Sequence, residues 1–185
     1  AMAGKGGTGK TTISALLIKY MLHKGLTPVL AVDADANANL NELLGMDVCL
    51  TLGEIRRDLK GDIPAHITRD QSMEMKVHEA LIEEIGFDLL VMGQPDGPGC
   101  YCAANQHLAM SMDKLADNYK YILVDNEAGM EHISRLTTKN VDVLLIVSDP
   151  SRRGLQAAVR IHELAKCLNI GVAKSYVVIN MAQEA

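Results

Sequence analysis

The run Gly4-Lys5-Gly6-Gly7-Thr8-Gly9-Lys10-Thr11-Thr12 constrains this chain more than any other feature. It satisfies G-x-x-x-x-G-K-[ST], the pattern of a phosphate-binding loop when a strand precedes it and a helix follows. The apolar stub Ala1-Met2-Ala3 comes first, and Ile13, Leu16, Leu17, Tyr20 and Met21 then mark one face of a helix over residues 11–23, ended by Gly25 and Pro28. Glycines let backbone N–H groups turn inward around a phosphate chain, and the helix presents its positive N-terminus to the same charge. Gly4, Lys5, Gly6, Gly7, Thr8, Gly9, Lys10, Thr11 and Thr12 are therefore the expected nucleotide-binding segment. Within it Lys10 is placed to reach the β- and γ-phosphates, and the Thr11 hydroxyl to ligate Mg²⁺.

Such a loop needs a sheet around it, and the rest of the chain supplies one. Short apolar runs recur at residues 29–32, 89–92, 122–124, 143–147 and 176–179, separated mostly by segments of helical spacing. The runs are nearly continuous rather than alternating, as in strands covered by helices on both faces. The expected fold class is α/β, a three-layer P-loop NTPase fold with a mostly parallel central sheet. Further helices are predicted over 76–85, 104–117 and 154–168, while 47–75 mixes charges, Gly and Pro and reads as a short helix and loops at the periphery. With 185 residues, 48% hydrophobic and 22% charged, the chain is expected to be a single P-loop domain over 1–185. The loop begins almost at the first residue, and a strand-like run at 175–180 is followed by five residues, so the expected domain lacks part of its first strand and its C-terminal helices. No apolar stretch approaches the ~18 residues of a transmembrane segment. The net charge of −5 comes without a basic patch, so no nucleic-acid partner is expected.

An ordinary phosphate loop does not require Lys5. With two lysines flanking one phosphate chain, the sequence resembles the deviant Walker A ATPases, the group of ParA, MinD and the nitrogenase iron protein, whose loop reads G-K-G-G-x-G-K-T-T. The resemblance implies a homodimer in which Lys5 reaches the nucleotide of the other subunit. The run Val32-Asp33-Ala34-Asp35 places two acids on one side of an extended chain, at the carboxyl edge of the sheet where ligands gather. By resemblance Asp33 takes a magnesium role and Asp35 positions the attacking water; the residues alone also allow either acid to cap a helix over 39–44. Asn37 and Asn39 read as caps or turn residues. Tyr121-Ile122-Leu123-Val124-Asp125 has the form of a Walker B strand, with Asp125 expected to hold magnesium through water. The implied catalytic set is Lys5, Lys10 and Asp35, and the implied magnesium set Thr11, Asp33 and Asp125. Asn180 matches the family's adenine-contacting asparagine. Asn180-Met181-Ala182-Gln183 is not the N-K-x-D pattern that reads guanine, so ATP is favoured over GTP. Asp149-Pro150 either lines the base pocket or forms a plain turn.

Gly99-Cys100-Tyr101-Cys102 puts two thiols two residues apart on a predicted loop. Such a pair spans ~6.6 Å between α-carbons and provides two ligands for a metal. A tetrahedral site wants four, and a two-fold dimer would double the pair. Zn²⁺, Ni²⁺ and copper all remain open from ligand type alone. Here the resemblance narrows to the CooC group, ATPases that assist nickel insertion into carbon monoxide dehydrogenase and acetyl-CoA synthase. It rests on the loop, the D-x-D segment, the C-x-C pair and Ala128-Gly129-Met130-Glu131-His132-Ile133-Ser134-Arg135 in order. It implies a dimeric metallochaperone carrying Ni²⁺ or Zn²⁺ at Cys100 and Cys102 of the interface, with a nickel enzyme as client. The alternative is a MinD- or ParA-like positioning switch. An iron-sulfur reductase is disfavoured because residues 125–135 contain no cysteine. Cys49 and Cys167 are expected as core thiols, His107 as a helix-surface residue, and Glu131 with His132 as either a relay to the dimer interface or a salt-bridged helix start. Four cysteines are too few for a disulfide scaffold and suit a reducing cytoplasm.

Overall fold

The computed structural model describes residues 1–58, 68–94, 109–129, 141–168 and 171–183. Strands β1 (Met2–Gly4), β2 (Val29–Ala34), β3 (Ile82–Glu84), β4 (Phe87–Val91), β5 (Tyr121–Asn126), β6 (Val141–Ser148) and β7 (Val172–Ile179) form one seven-stranded sheet in the order β3-β4-β2-β5-β1-β6-β7. Neighbours are parallel except β3, which runs antiparallel to β4. From β1 the chain winds one way to β2 and β4, and from β5 it crosses to β6 and β7 on the other side. That reversal opens a crevice at the carboxyl edge beside β1, where ligands of open α/β sheets bind.

Helices α1 (Lys10–His23), α2 (Leu40–Leu44), α3 (Leu52–Asp58), α4 (Arg69–Ala80), α5 (109–115) and α6 (Arg152–Cys167) complete the layers. All six residues of β2 are buried, and alternate ones feed different cores. Leu30 and Val32 pack with Leu52, Ile55, Val77 and Met112, under α3, α4 and α5. Ala31 packs with Ala15, Ile18 and Leu40 on the opposite face, under α1 and α2. A third cluster joins β6 to Ala158, Ile161 and Ala165 of α6. Cap residues set the helix starts: Ser151 Oγ accepts the Gly154 N–H at 3.0 Å, and Thr68 and Gln71 form a reciprocal capping box ahead of α4.

Four expectations need correction. The helix predicted over 76–85 ends at Ala80, where Leu81 turns extended and β3 begins. The apolar spacing there belongs to a hairpin, with Ile85 at its exposed tip and Gly86 at φ +88 closing the turn. Residues 47–75 are not all peripheral, because Leu52 and Ile55 of α3 are buried in the core around β2. Cys49 and Cys167 are exposed: one lies in the connection between α2 and α3, the other on the side of α6 away from its buried face. The last run begins at Val172 rather than 176 and is not covered on both faces; Tyr176, Val177 and Ile179 of β7 are substantially exposed.

Candidate functional site

The phosphate loop connects β1 to α1 and is shaped by close packing. Gly4 has φ +150, and a Cβ there would stand 2.2 Å from the Val147 carbonyl oxygen, so no side chain fits between β1 and β6. Gly7 and Gly9 take φ +78 and +86, the left-handed region that favours glycine, and Gly9 is the N-cap of α1. The first turn of α1 contains no acid, which leaves its positive end available to an anion. Thr8 is buried and its hydroxyl donates to the Lys5 carbonyl at 2.8 Å, fastening the loop across its own curve. Lys5, Gly6, Gly7 and Thr12 are exposed, while Thr11 and Gly9 are half-buried. Lys10 is buried, with its ammonium 3.5 Å from the Lys5 carbonyl. Burial lowers the Lys10 pKa, and the nearby charges of Asp125, Asp35 and Glu127 oppose that effect.

The carboxylates arrive on neighbouring strands in parallel register. Asp33 at the end of β2 lies opposite Asp125 of β5, and Ala34 lies opposite Asn126. Asp125 is almost fully buried, and its Oδ1 accepts the Ser14 hydroxyl at 3.0 Å. Desolvation raises the Asp125 pKa, against the nearby Thr11 and Ser14 hydroxyls and the charge of Lys10. Asp33 is fully buried, and burial pushes its pKa up to about 6 despite two backbone N–H donors. Those donors are Asp35, at 3.1 Å to Oδ1, and Leu40, at 2.9 Å to Oδ2. Asp35 is half-buried, and its Oδ1 accepts the Asn37 N–H at 2.9 Å and Asn37 Nδ2 at 3.1 Å. Asn37 is thus a turn residue as expected. Asn39 occupies the N-cap position of α2 without a side-chain cap bond.

Asn180 follows β7 and closes the far side of the loop. Its Nδ2 donates to the Thr8 carbonyl at 2.9 Å, and its backbone N–H donates to Ser148. A Cβ on Gly9 would stand 2.5 Å from the same Nδ2, so glycine permits this contact as well as the turn. Asp149 serves the plain-turn reading, since its Oδ1 accepts the Ser151 N–H at 2.7 Å. The Ser151 side chain, and next that backbone bond, lower its pKa, with a smaller contribution from the charge of Lys5.

Lys10, Thr11, Asp33, Asp35, Asp125 and Asn180 therefore gather at one edge of the sheet around the phosphate loop. The sequence reading missed Ser14 and Asn126. Ser14, four residues after Lys10, shares its side of α1, and that spacing was a usable signal. Asn126 donates from Nδ2 to the Met2 carbonyl at 2.8 Å, tying the end of β5 to β1. Its neighbour Asp125 was the only cue in the sequence. Cys100, Cys102, His107, Glu131 and His132 lie outside the described residues. Among the described residues, no group of three or more His, Cys, Asp or Glu is placed to hold a metal, and no helix is long and apolar enough to cross a membrane.

Comparison with known proteins agrees with this geometry. A family model described as an AAA domain matches residues 1–174. The chain is 46% identical over 185 residues to the uncharacterized ATP-binding protein MJ0685 of Methanocaldococcus jannaschii, covering 97% of this chain and 73% of that one. It is 30% identical over 184 residues to the carbon monoxide dehydrogenase accessory protein CooC of Rhodospirillum rubrum, covering 92% and 70%. The MinD cell division protein of Aquifex aeolicus superposes with a TM-score of 0.67 at 25% identity, over 98% of this chain and 68% of that one. A ParA family ATPase of Chlorobium tepidum gives a TM-score of 0.71 at 20% identity, over 98% and 73%, which shows the shared fold.

Proposed function

The chain belongs to the AAA-domain family of P-loop ATPases, and from that premise we propose that it is a dimeric, ATP-hydrolysing maturation factor that carries a metal ion as cargo to a nickel enzyme. The observation that carries the ATPase site is the convergence of Lys10, Thr11 and Asp125, with Asp125 held by the Ser14 hydroxyl from the helix that starts at the loop. ATP binds along Gly4 to Thr12, with Lys10 neutralising the phosphate chain. The donor set fits Mg²⁺: a hydroxyl at Thr11 and a buried carboxylate at Asp125 are hard oxygen ligands beside a phosphate site. Bound Mg²⁺ supplies charge neutralisation at the phosphates. Asp33 neighbours this pair across the β2–β5 register, and its oxygens already accept backbone N–H groups.

Asp35 orients the attacking water from the segment after β2. Asn180 supports adenine: with Nδ2 committed to Thr8, its Oδ1 is the atom left to face a base, and an acceptor suits the adenine amine rather than the guanine carbonyl. Lys5 is exposed at the rim of the loop, which suits a residue that reaches the nucleotide of a second copy. The similarity to CooC, together with Cys100 and Cys102, supports Ni²⁺ or Zn²⁺ as cargo at a four-thiolate interface. The client would be carbon monoxide dehydrogenase or acetyl-CoA synthase, in the cytoplasm.

The test measures metal bound per chain and dimer fraction, with and without ATP, for the protein and for Cys100→Ser with Cys102→Ser. Unchanged metal content in the double variant would remove the cargo reading and leave the ATPase. The likeness to MinD of Aquifex aeolicus supports a second reading, a positioning switch. It predicts ATP-dependent binding to anionic vesicles or DNA that survives loss of both cysteines.

A further inference from the structure

We propose that Asp33 is a positioning residue that braces the segment carrying Asp35, rather than a metal ligand. Its carboxylate is fully buried at the end of β2. Oδ1 accepts the N–H of Asp35 at 3.1 Å, and Oδ2 accepts the N–H of Leu40, seven residues along, at 2.9 Å. One carboxylate therefore pins both ends of residues 35–40, and it uses both oxygens to do so. Backbone N–H groups converging on a carboxylate make charge-assisted bonds, stronger than neutral ones.

The segment so held needs a brace. Ala38 has φ 48, a left-handed conformation that costs a residue with a Cβ ~1–2 kcal/mol. Such a conformation persists only where its surroundings over-determine it. The Ala38 N–H returns to the Asp35 carbonyl at 3.1 Å, and Asn37 holds the Asp35 side chain through two bonds. Asn39 gives α2 no side-chain cap, so Asp33 supplies the donor-satisfying oxygen at Leu40 from the neighbouring strand.

Asp125 shows the contrast. Its donor is the side-chain hydroxyl of Ser14 on α1, the helix that follows the phosphate loop, whereas those of Asp33 are backbone amides of the following segment. The two acids are in register one strand apart, yet one is tied to α1 and the other to residues 35–40. The consequence for hydrolysis rests on the reading of Asp35 as the water-positioning acid; the brace itself does not.

The test uses the whole chain and begins with amide hydrogen exchange of the nucleotide- and Mg²⁺-free protein. Leu40 N–H is expected to be strongly protected, and exchange at the rate of an exposed amide would overturn the brace whether or not any variant folds. Asp33→Asn keeps the shape but turns an N–H₂ toward one of the two amides. It should speed Leu40 exchange about tenfold or more, the factor for one charge-assisted bond. It should also lower kcat for ATP by a similar factor, with KM for ATP and the Mg²⁺ midpoint within about twofold, since 1.4 kcal/mol corresponds to tenfold. A raised Mg²⁺ midpoint with Leu40 exchange unchanged would instead make Asp33 a metal ligand. Faster Leu40 exchange with unaltered kcat would overturn the coupling to Asp35. If Asp35→Ala leaves kcat intact, it is the water-positioning reading that fails, and the exchange result for Asp33→Asn still decides the brace.

Discussion

Strands β2 and β7 both read as apolar runs, and both deliver polar residues to the same edge of the sheet, yet they are used in opposite ways. β2 lies inside the sheet between β4 and β5, with every residue buried; Asp33 near its end is locked by backbone N–H groups, and Asp35 just after it is held by Asn37. Among the described residues β7 lies at the edge of the sheet beside β6; Tyr176 is 54% and Val177 51% exposed, and Asn180 follows. An apolar side chain contributes in proportion to the area that its neighbours remove from water, so place in the sheet order matters more than composition. The interior strand can hold charged groups rigidly because both of its faces and both of its edges are fixed.

This contrast can be broken by substitution. The largest effect should come from the chemistry at the end of β2: Asp35→Ala is expected to lower kcat for ATP by about 10²-fold or more, as removal of a group that orients the nucleophile does. Phosphate release under saturating ATP measures it. Leu30→Ala inside β2 should destabilise the fold by about 3 kcal/mol, the cost of deleting a fully buried leucine, read from a urea midpoint at constant slope. Ser14→Ala should cost about 2 kcal/mol, because the buried carboxylate of Asp125 loses its hydroxyl donor. At the other strand, Asn180→Ala should raise KM for ATP by roughly tenfold, the value of about one hydrogen bond, with kcat and the weaker use of GTP little changed. Val177→Ala should fall within about 0.5 kcal/mol of the parent in urea denaturation, as an exposed substitution does. A cost for Val177→Ala near that of Leu30→Ala would mean that β7 is covered in solution and would end the contrast.

Much of the site was legible because its signals are local. The spacing of glycines and lysines from Gly4 to Thr12 fixes a loop whatever surrounds it, and Asp33, Asp35 and Asp125 each end an apolar run that can only be a strand. Errors arose where a short apolar spacing fits two structures. Ile82 and Ile85 satisfy a helical period, but Gly86 turns the chain back as a hairpin, and β4 provides the partner that makes β3 a strand. Cys49 and Cys167 looked like core residues beside apolar neighbours, but which side of an element faces the core depends on packing. Ser14 and Asn126 were missed because a serine in a helix or an asparagine after a strand has no meaning until its partner, Asp125 or Met2, is brought alongside.

The chain's own order of residues determined that it would cradle phosphate, that a helix would follow the cradle, and that acids would stand at strand ends. Each of these depends on backbone freedom and side-chain chemistry within a few positions. Only the folded sheet decided which strand would be interior, that Asp33 and Asp125 would be side by side, and that Asp33 would spend its oxygens on the amides of Asp35 and Leu40. Those outcomes depend on hydrogen-bond pairing and burial between residues far apart in the chain, where no local spacing records the partner.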